Sequence, residues 1–262
     1  HAYDTYMTTL LERLLAWLAT LGTSVILLSA TLPNKRREKL FQAYSGCSES
    51  LPVKQYPRIT WFSNGRIDCF EIPPIRFKPL HLICLPVQPK NNKDTVYIEK
   101  VARKLLSKLC NGGCCVWICN TVRLAQRVYQ CLKRIKDTEQ IDFELDLFHA
   151  QYPYKQRAMK EKEVLKKYGK EVPKDKVRPC SILVATSVVE QSLDLDFDIM
   201  ITYNAPIDLV LQRSGRLQRH KRKRPAGLRK RYLWIIGPKP GDEEEIFKYE
   251  VYDDKYHLWR SW

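Results

Sequence analysis

The sequence predicts an α/β protein with parallel sheets. Residues 181–185 and 199–203, SILVA and IMITY, are short apolar runs of the kind that form strands buried on both faces. Along the chain such runs alternate with stretches carrying apolar residues at helical spacing, the pattern of sheets covered by helices. The runs also stop at polar groups: Thr186 ends the first, and the helix after the second ends in the run from Gln212 to Arg219. Ligands of open α/β sheets bind beyond the carboxyl ends of the strands, so polar groups there are candidates for chemistry.

The elements follow in order. Residues 6–21 read as a core helix, with Leu10, Leu14, Leu18 and Leu21 at helical spacing, Asp4 or Thr5 to cap its start and Gly22 to end it. Glu12 and Arg13 in its middle argue against a membrane span, and the absence of a basic flank argues against a signal peptide. An apolar strand over residues 23–28 would deliver Ser29-Ala30-Thr31 to its carboxyl end, and a basic helix follows over residues 34–44. Residues 59–63 and 67–72 read as strands. The proline-bearing stretch 73–80 reads as a linker, which places a domain boundary between 1–78 and 79–262.

The second part opens with a strand at 82–87, a helix at 96–109 and a strand at 114–119 that ends at Asn120-Thr121. A helix over 122–136 sets Leu124, Val128, Cys131, Leu132 and Ile135 on one face. Residues 143–149 form a further strand ending at His149. Residues 160–176 read as a helix with a solvated Lys/Glu face running into a loop. After the two central strands, eight Lys or Arg between Arg219 and Arg231, with no acid, read as a mobile basic loop that faces nucleic acid or serves as a solubilising linker, before a strand at 232–236. Asp242 to Glu245 reverse the sign, and Tyr256, Trp259 and Trp262 suggest docking to another domain.

Composition limits the function classes. At 262 residues, 44% hydrophobic and 11% aromatic, the chain can bury a large core and is no disordered tail. Its 45 Lys and Arg against 29 acids, a net +16, favour a polyanionic partner over a small acidic substrate. Nine cysteines, an odd number, include several within apolar strand runs, which fits reduced, buried thiols and a cytoplasmic protein. Cys110, Cys114, Cys115 and Cys119 lack a second paired cluster, and Cys114 and Cys115 point to opposite faces of a strand, so a zinc site is not expected.

The motifs carry a more specific resemblance. Gln212-Arg213-Ser214-Gly215-Arg216-Leu217-Gln218-Arg219 resembles motif VI of superfamily 2 helicases, and Ala185-Thr186 through Asp194 looks like motif V. Ser29-Ala30-Thr31 looks like motif III, and His1-Ala2-Tyr3-Asp4 like the end of a DEVHAYD motif II. With the wording ATSVVEQSLDLDFD and APIDLVLQRSGRLQRH, the chain is similar to the DExH-type helicase-nuclease of type I CRISPR interference, which pairs an HD nuclease with a DNA translocase. The resemblance implies two RecA-like helicase domains, the first truncated and the second near complete.

The family implies roles residue by residue. Arg216 and Arg219 would reach ATP phosphates across an interdomain cleft, where planar guanidinium forks suit phosphate oxygens. Gln212 would hydrogen-bond His1, Asp194 would orient an arginine or the nucleotide ribose, and Ser29 and Thr31 would couple the domains. Thr186 would touch the backbone of single-stranded DNA. Asn120 and Thr121 at a strand–helix junction resemble the motif IV region, with a plain N-cap as the equally available alternative. His149 through Arg157 looks like a further family segment with Arg157 on DNA, although His149 reads equally as a satisfied histidine. Arg213, one position off the cleft face, reads as structural.

Some parts are missing. The only Gly-Lys pair, Gly169-Lys170, is followed by Glu171 and has Val164 at the first glycine position, so there is no Walker A loop. The magnesium-binding Asp-Glu of motif II would precede His1, and no HD nuclease residues are visible. ATP and magnesium would therefore be held mainly by an upstream part. The chain by itself is expected to hydrolyse little ATP, as the carboxyl-terminal part of an enzyme that is split, cleaved or longer than this sequence, working in the prokaryotic cytoplasm with an RNA-guided surveillance complex. The alternative is a non-catalytic basic module that binds nucleic acid or protein in a defence complex, in which Arg216→Ala would matter no more than Arg222→Ala.

Overall fold

The computed structural model describes residues 5–29, 32–47, 51, 55, 57–73, 79–87, 94–190 and 193–238. The chain divides into two compact units, His1–Phe77 and Lys78–Trp262.

In the first unit, helix α1 (Thr5–Thr20) packs on helix α2 (Asn34–Ser45). Gly22, at φ +65°, closes α1 by letting its own N–H reach Ala19 O and that of Thr23 reach Leu18 O. An ion pair of 2.7 Å between Arg36 and Glu12 ties the helices. The stripe expected to be core is not: Leu10, Leu14 and Leu21 are 47%, 48% and 76% exposed, and Leu15 is the leucine of α1 that is buried. One packing helix covers one side of α1, and the stripe lies off that side.

The strand expected over 23–28 is also absent. Residues 23–29 belong to no sheet, since among the described residues no strand lies beside them to take their backbone hydrogen bonds. Ile26 and Leu28 are consequently 84% and 93% exposed. This segment lines an apolar cleft of about 590 Å³ together with Leu15, Leu40 and Phe41 and strand β1 (Arg58–Ser63). Strand β2 (Arg66–Glu71) pairs antiparallel with β1. Asn64 and Gly65, both at positive φ, form the two-residue turn that matches strand twist.

Among its described residues, the second unit forms a six-stranded, all-parallel sheet covered on both faces. Its elements are β3 (Leu80–Val87), α3 (Asp94–Leu109), β4 (Cys114–Ile118), α4 (Val122–Glu139), β5 (Glu144–Phe148), α5 (Tyr154–Tyr168), β6 (Ser181–Ala185), β7 (Ile199–Tyr203), α6 (Ile207–Ser214) and β8 (Arg231–Pro238). The strand order is β3-β8-β7-β4-β6-β5. β4, β6 and β7 are buried along their whole length, which explains their unbroken apolar sequences.

Alternate strand residues feed two cores. Cys115, Trp117, Ile182, Ile201 and Trp234 pack under α3 and α4. Cys114, Val116, Leu183, Met200 and Leu233 pack with Val164 and Tyr168 of α5 and Val210 of α6. Cys114 and Cys115 therefore lie on opposite faces of the sheet, and all nine cysteines are free thiols. Val164 and Tyr168 also correct the reading of the Lys/Glu-rich helix as a purely solvated face. Its inner edge is anchored on the sheet, and the Lys160–Glu163 pair lies outside. Among the described residues, no helix is long and apolar enough to cross a membrane.

Candidate functional site

The carboxyl ends of the central strands bring two clusters of polar residues together. In the first, Thr186 follows β6, His149 follows β5, Asn120 follows β4 and Asn204 follows β7. The Asn120 amide donates to Asn204 O at 2.8 Å, tying two strand ends. Thr121 caps α4, its Oγ1 accepting from the Leu124 N–H at 3.1 Å. Thr186 is buried, and its N–H donates to Phe148 O. The His149 ring is buried and stacked on Tyr152, with ring centroids 4.3 Å apart and planes 8° from parallel. Burial holds its imidazole pKa below the usual value. Arg157, on the first turn of α5, is exposed.

The second cluster is built by the loop after β6 and the end of α6. Arg213 is fully buried: its Nε donates to Glu190 Oε1 at 2.7 Å, and its Nη1 to Thr202 Oγ1 at 2.6 Å and Tyr203 O at 3.1 Å. It is a structural arginine, as its register implies. Arg216 is half-buried and donates through Nη2 to Glu190 O at 2.7 Å, while its buried Nε has no partner. Burial first, and then the neighbouring Arg219, lower its guanidinium pKa. Arg219 pairs through Nε with Asp194 Oδ1 at 2.8 Å, and His220 Nε2 lies 2.9 Å from the same oxygen. Gln212 O accepts a long, 3.4 Å bond from Arg216.

The structure thus gathers Gln212, Arg216, Arg219 and Asp194, and adds Glu190 and His220, to which the sequence had assigned no role. Glu190 serves twice, its carboxylate on Arg213 and its carbonyl on Arg216. Ser29 lies in the first unit, on the wall of its cleft. His1 and Thr31, and with them the Gln212–His1 contact, lie outside the described residues.

The run from Arg219 to Arg231 is not a free basic loop. Asp196 Oδ2 lies 2.5 Å from Arg222 Nε, and Asp196 Oδ1 is 2.8 Å from Arg224 Nη2. Asp198 takes Arg224 Nη1 at 2.6 Å, Arg178 Nη2 at 3.0 Å and the Cys114 N–H at 2.7 Å. Burial alone would raise the Asp198 pKa, but Arg178 and Arg224 hold it below the usual carboxylate range. Gln218 Nε2 further donates to Leu228 O at 2.8 Å and Lys230 O at 3.0 Å, and Arg231 Nε to Leu217 O at 3.1 Å. Asp196 and Asp198 are therefore buried partners of arginines. Among the described residues, no three His, Cys, Asp or Glu gather to hold a metal ion.

Comparison with known proteins places this architecture. A family model described as CRISPR-associated nuclease/helicase Cas3, C-terminal, matches residues 111–222, which span β4 to the arginine cluster. The chain is 40% identical over 272 residues to the CRISPR-associated endonuclease/helicase Cas3 of Escherichia coli K12, covering 100% of this chain and 29% of that protein. A crystal structure of T. fusca Cas3 with ADP superimposes with a TM-score of 0.81 at 34% identity, covering 93% of this chain and 30% of the other. A chain of a CRISPR RNA-guided surveillance complex in a pre-nicking state is 33% identical, with a TM-score of 0.76 and coverage of 93% and 31%. The chain spans less than a third of the length of each. With the parallel sheet, the motif order and these likenesses in agreement, the chain matches the carboxyl-terminal helicase region of the Cas3 helicase-nucleases.

Proposed function

We propose that the chain is the half of an ATP-dependent single-strand DNA translocase that supplies arginines to a nucleotide held mainly by another part of the enzyme. Residues 1–78 then belong to a first RecA-like domain, carrying the end of motif II and motif III, and 79–262 form the second. The observation that carries this reading is the pair Arg216 and Arg219 at the end of α6. Each guanidinium is only partly satisfied within the unit: Arg216 Nε is buried without a partner, and Nε is the nitrogen of Arg219 that is engaged. Buried donors without partners are costly, and anionic oxygens relieve that cost. Nucleotide binding by the T. fusca relative supports the same reading.

ATP, when bound, brings a γ-phosphoryl group whose negative charge spreads over its oxygens as it departs. Arg216 and Arg219 neutralise that charge, an effect of about 10³ to 10⁵ in turnover for arginine fingers of NTPases. Arg213 and Glu190 hold the end of α6 from below, and Asp194 orients Arg219. The family resemblance assigns magnesium and its carboxylates mainly to the upstream part of the enzyme. Without them and a phosphate loop the chain alone turns over little ATP.

On the nucleic-acid side, Thr186, Asn120, Thr121 and Arg157 lie along the strand ends and on α5, where amides at a helix start and an exposed cation suit DNA phosphates. The family roles of Ser29 and Thr31 in coupling the domains, and of Gln212 toward His1, belong to the same reading. Partners of the assembled enzyme are single-stranded DNA, the upstream helicase and HD nuclease part, and an RNA-guided surveillance complex. The likeness to a chain of such a complex supports the last.

The test is ATPase activity of the enzyme assembled with a part bearing Walker A. Arg216→Ala or Arg219→Ala should lower kcat by about 10³-fold or more without loss of fold. Lys221→Ala, an exposed neighbour, should leave kcat intact. Arg222, buried in an ion pair, is unsuited as the neutral comparison. Equal effects of Arg216→Ala and Lys221→Ala would instead identify a non-catalytic basic module.

A further inference from the structure

Arg219 lies in a stretch without helix or strand: beyond the end of α6, residues 217–225 have a single backbone bridge, Phe197 to Leu217, as regular structure. Backbone hydrogen bonds from the Phe197 N–H to Arg216 O at 2.9 Å and from the Gln218 N–H to Phe197 O at 2.8 Å lay residues 194–198 alongside 216–220. The sequence of that first segment, Asp-Leu-Asp-Phe-Asp, alternates. Leu195 and Phe197 are fully buried in the apolar core, and the three carboxylates all meet the basic segment. The result is a ladder of three acidic rungs, Asp194 on Arg219 and His220, Asp196 on Arg222 and Arg224, and Asp198 on Arg224 and Arg178.

The rungs differ sharply in exposure. In the outer one, the Asp194 and Arg219 side chains are 42% and 41% exposed, so water and ions compete for the pair and it can exchange. In the inner two, Asp196, Asp198, Arg178, Arg222 and Arg224 are between 0% and 7% exposed. Gly113 allows the close approach. A Cβ there would meet Leu228 at 2.8 Å and Pro225 at 3.0 Å, the residues that bring the segment back to the sheet. Buried ion pairs are seldom more stabilising than apolar residues of the same volume, so stability alone does not account for these pairs stacked beside one exposed arginine.

We propose that Asp196 and Asp198, through Arg222, Arg224 and Arg178, are positioning residues that fix the pivot from which Arg219 swings between Asp194 and an anionic oxygen of the nucleotide. This rests on the translocase reading above. None of the five touches the nucleotide; they act through Arg219.

The measurement is steady-state ATPase of the assembled enzyme for Arg219→Ala, Arg224→Lys and the double variant, at a temperature well below the measured Tm of each. Lysine keeps the charge but not the bidentate fork that spans Asp196 and Asp198. Expected are a fall in kcat of about 10²-fold for Arg224→Lys with KM for ATP little changed, and a double variant no slower than Arg219→Ala alone. Should Arg224→Lys not yield folded protein, Arg222→Lys carries the same measurement. Unchanged kcat in the lysine variant, or multiplication of its effect with that of Arg219→Ala, overturns the pivot while leaving the translocase reading in place. Unchanged kcat in Arg219→Ala itself overturns both.

Discussion

Arg213 and Glu190 show how one side chain decides the fate of its neighbours. Both are buried and bonded over 2.7 Å, so Arg213→Ala leaves a carboxylate without its cation. The expected loss is about 3–5 kcal/mol in chemical denaturation. His149 gives a pH dependence instead. Its folded pKa lies below the unfolded value of about 6.5, so the unfolded chain binds more protons between the two. Its contribution to stability is complete above about pH 6.5 and falls as pH drops through the folded pKa. His149→Phe keeps a ring to stack on Tyr152 and should remove that mild-acid phase from a pH series of urea midpoints. At this scale the sequence was readable where register alone decides, as for Arg213. It gave no role to Asp196 and Asp198, whose ion-pair partners lie 18 or more residues away in sequence. The signal available was the alternation with Leu195 and Phe197, which places all three carboxylates on one side of an extended segment.

Among the elements, the short apolar strands of the second unit were the most legible, because a strand buried on both faces has little freedom in composition. Residues 23–28 carry the same kind of run and form no strand, since an apolar run records a demand for burial and not the presence of a neighbour to meet it. The basic run after α6 failed as a mobile loop for a related reason: charge composition cannot reveal which acids will neutralise it. Capping makes a local prediction. Thr121→Ala removes the hydrogen bond to the Leu124 N–H and should cost about 1 kcal/mol, read by thermal denaturation. Gly112→Ala should cost more than that, because at φ +85° its Cβ would stand 2.6 Å from the Arg178 carbonyl oxygen, which is rigid backbone.

For the molecule as a whole, the count of 45 Lys and Arg overstates the cations available to a polyanionic partner. Arg178, Arg213, Arg222 and Arg224 are tied up in buried ion pairs inside the second unit, whereas Arg157, Lys221, Lys223, Arg229 and Lys230 are exposed. Affinity for single-stranded DNA should fall linearly in logarithm with salt, and Arg157→Gln should reduce the slope by about 0.7, the share of one phosphate contact. Affinity flat across the salt range would sink the assignment. The topology carries a different consequence. Among the described residues, β8 is the last strand of the sheet to leave the ribosome, yet it lies between β3, the first, and β7. Until it arrives, β3 has no partner strand and β7 has an open side, both lined with unpaired backbone groups and apolar side chains that invite pairing with other chains. The sheet order therefore leaves two strand sides unpaired until β8 is made, and the insertion of that one late strand closes both.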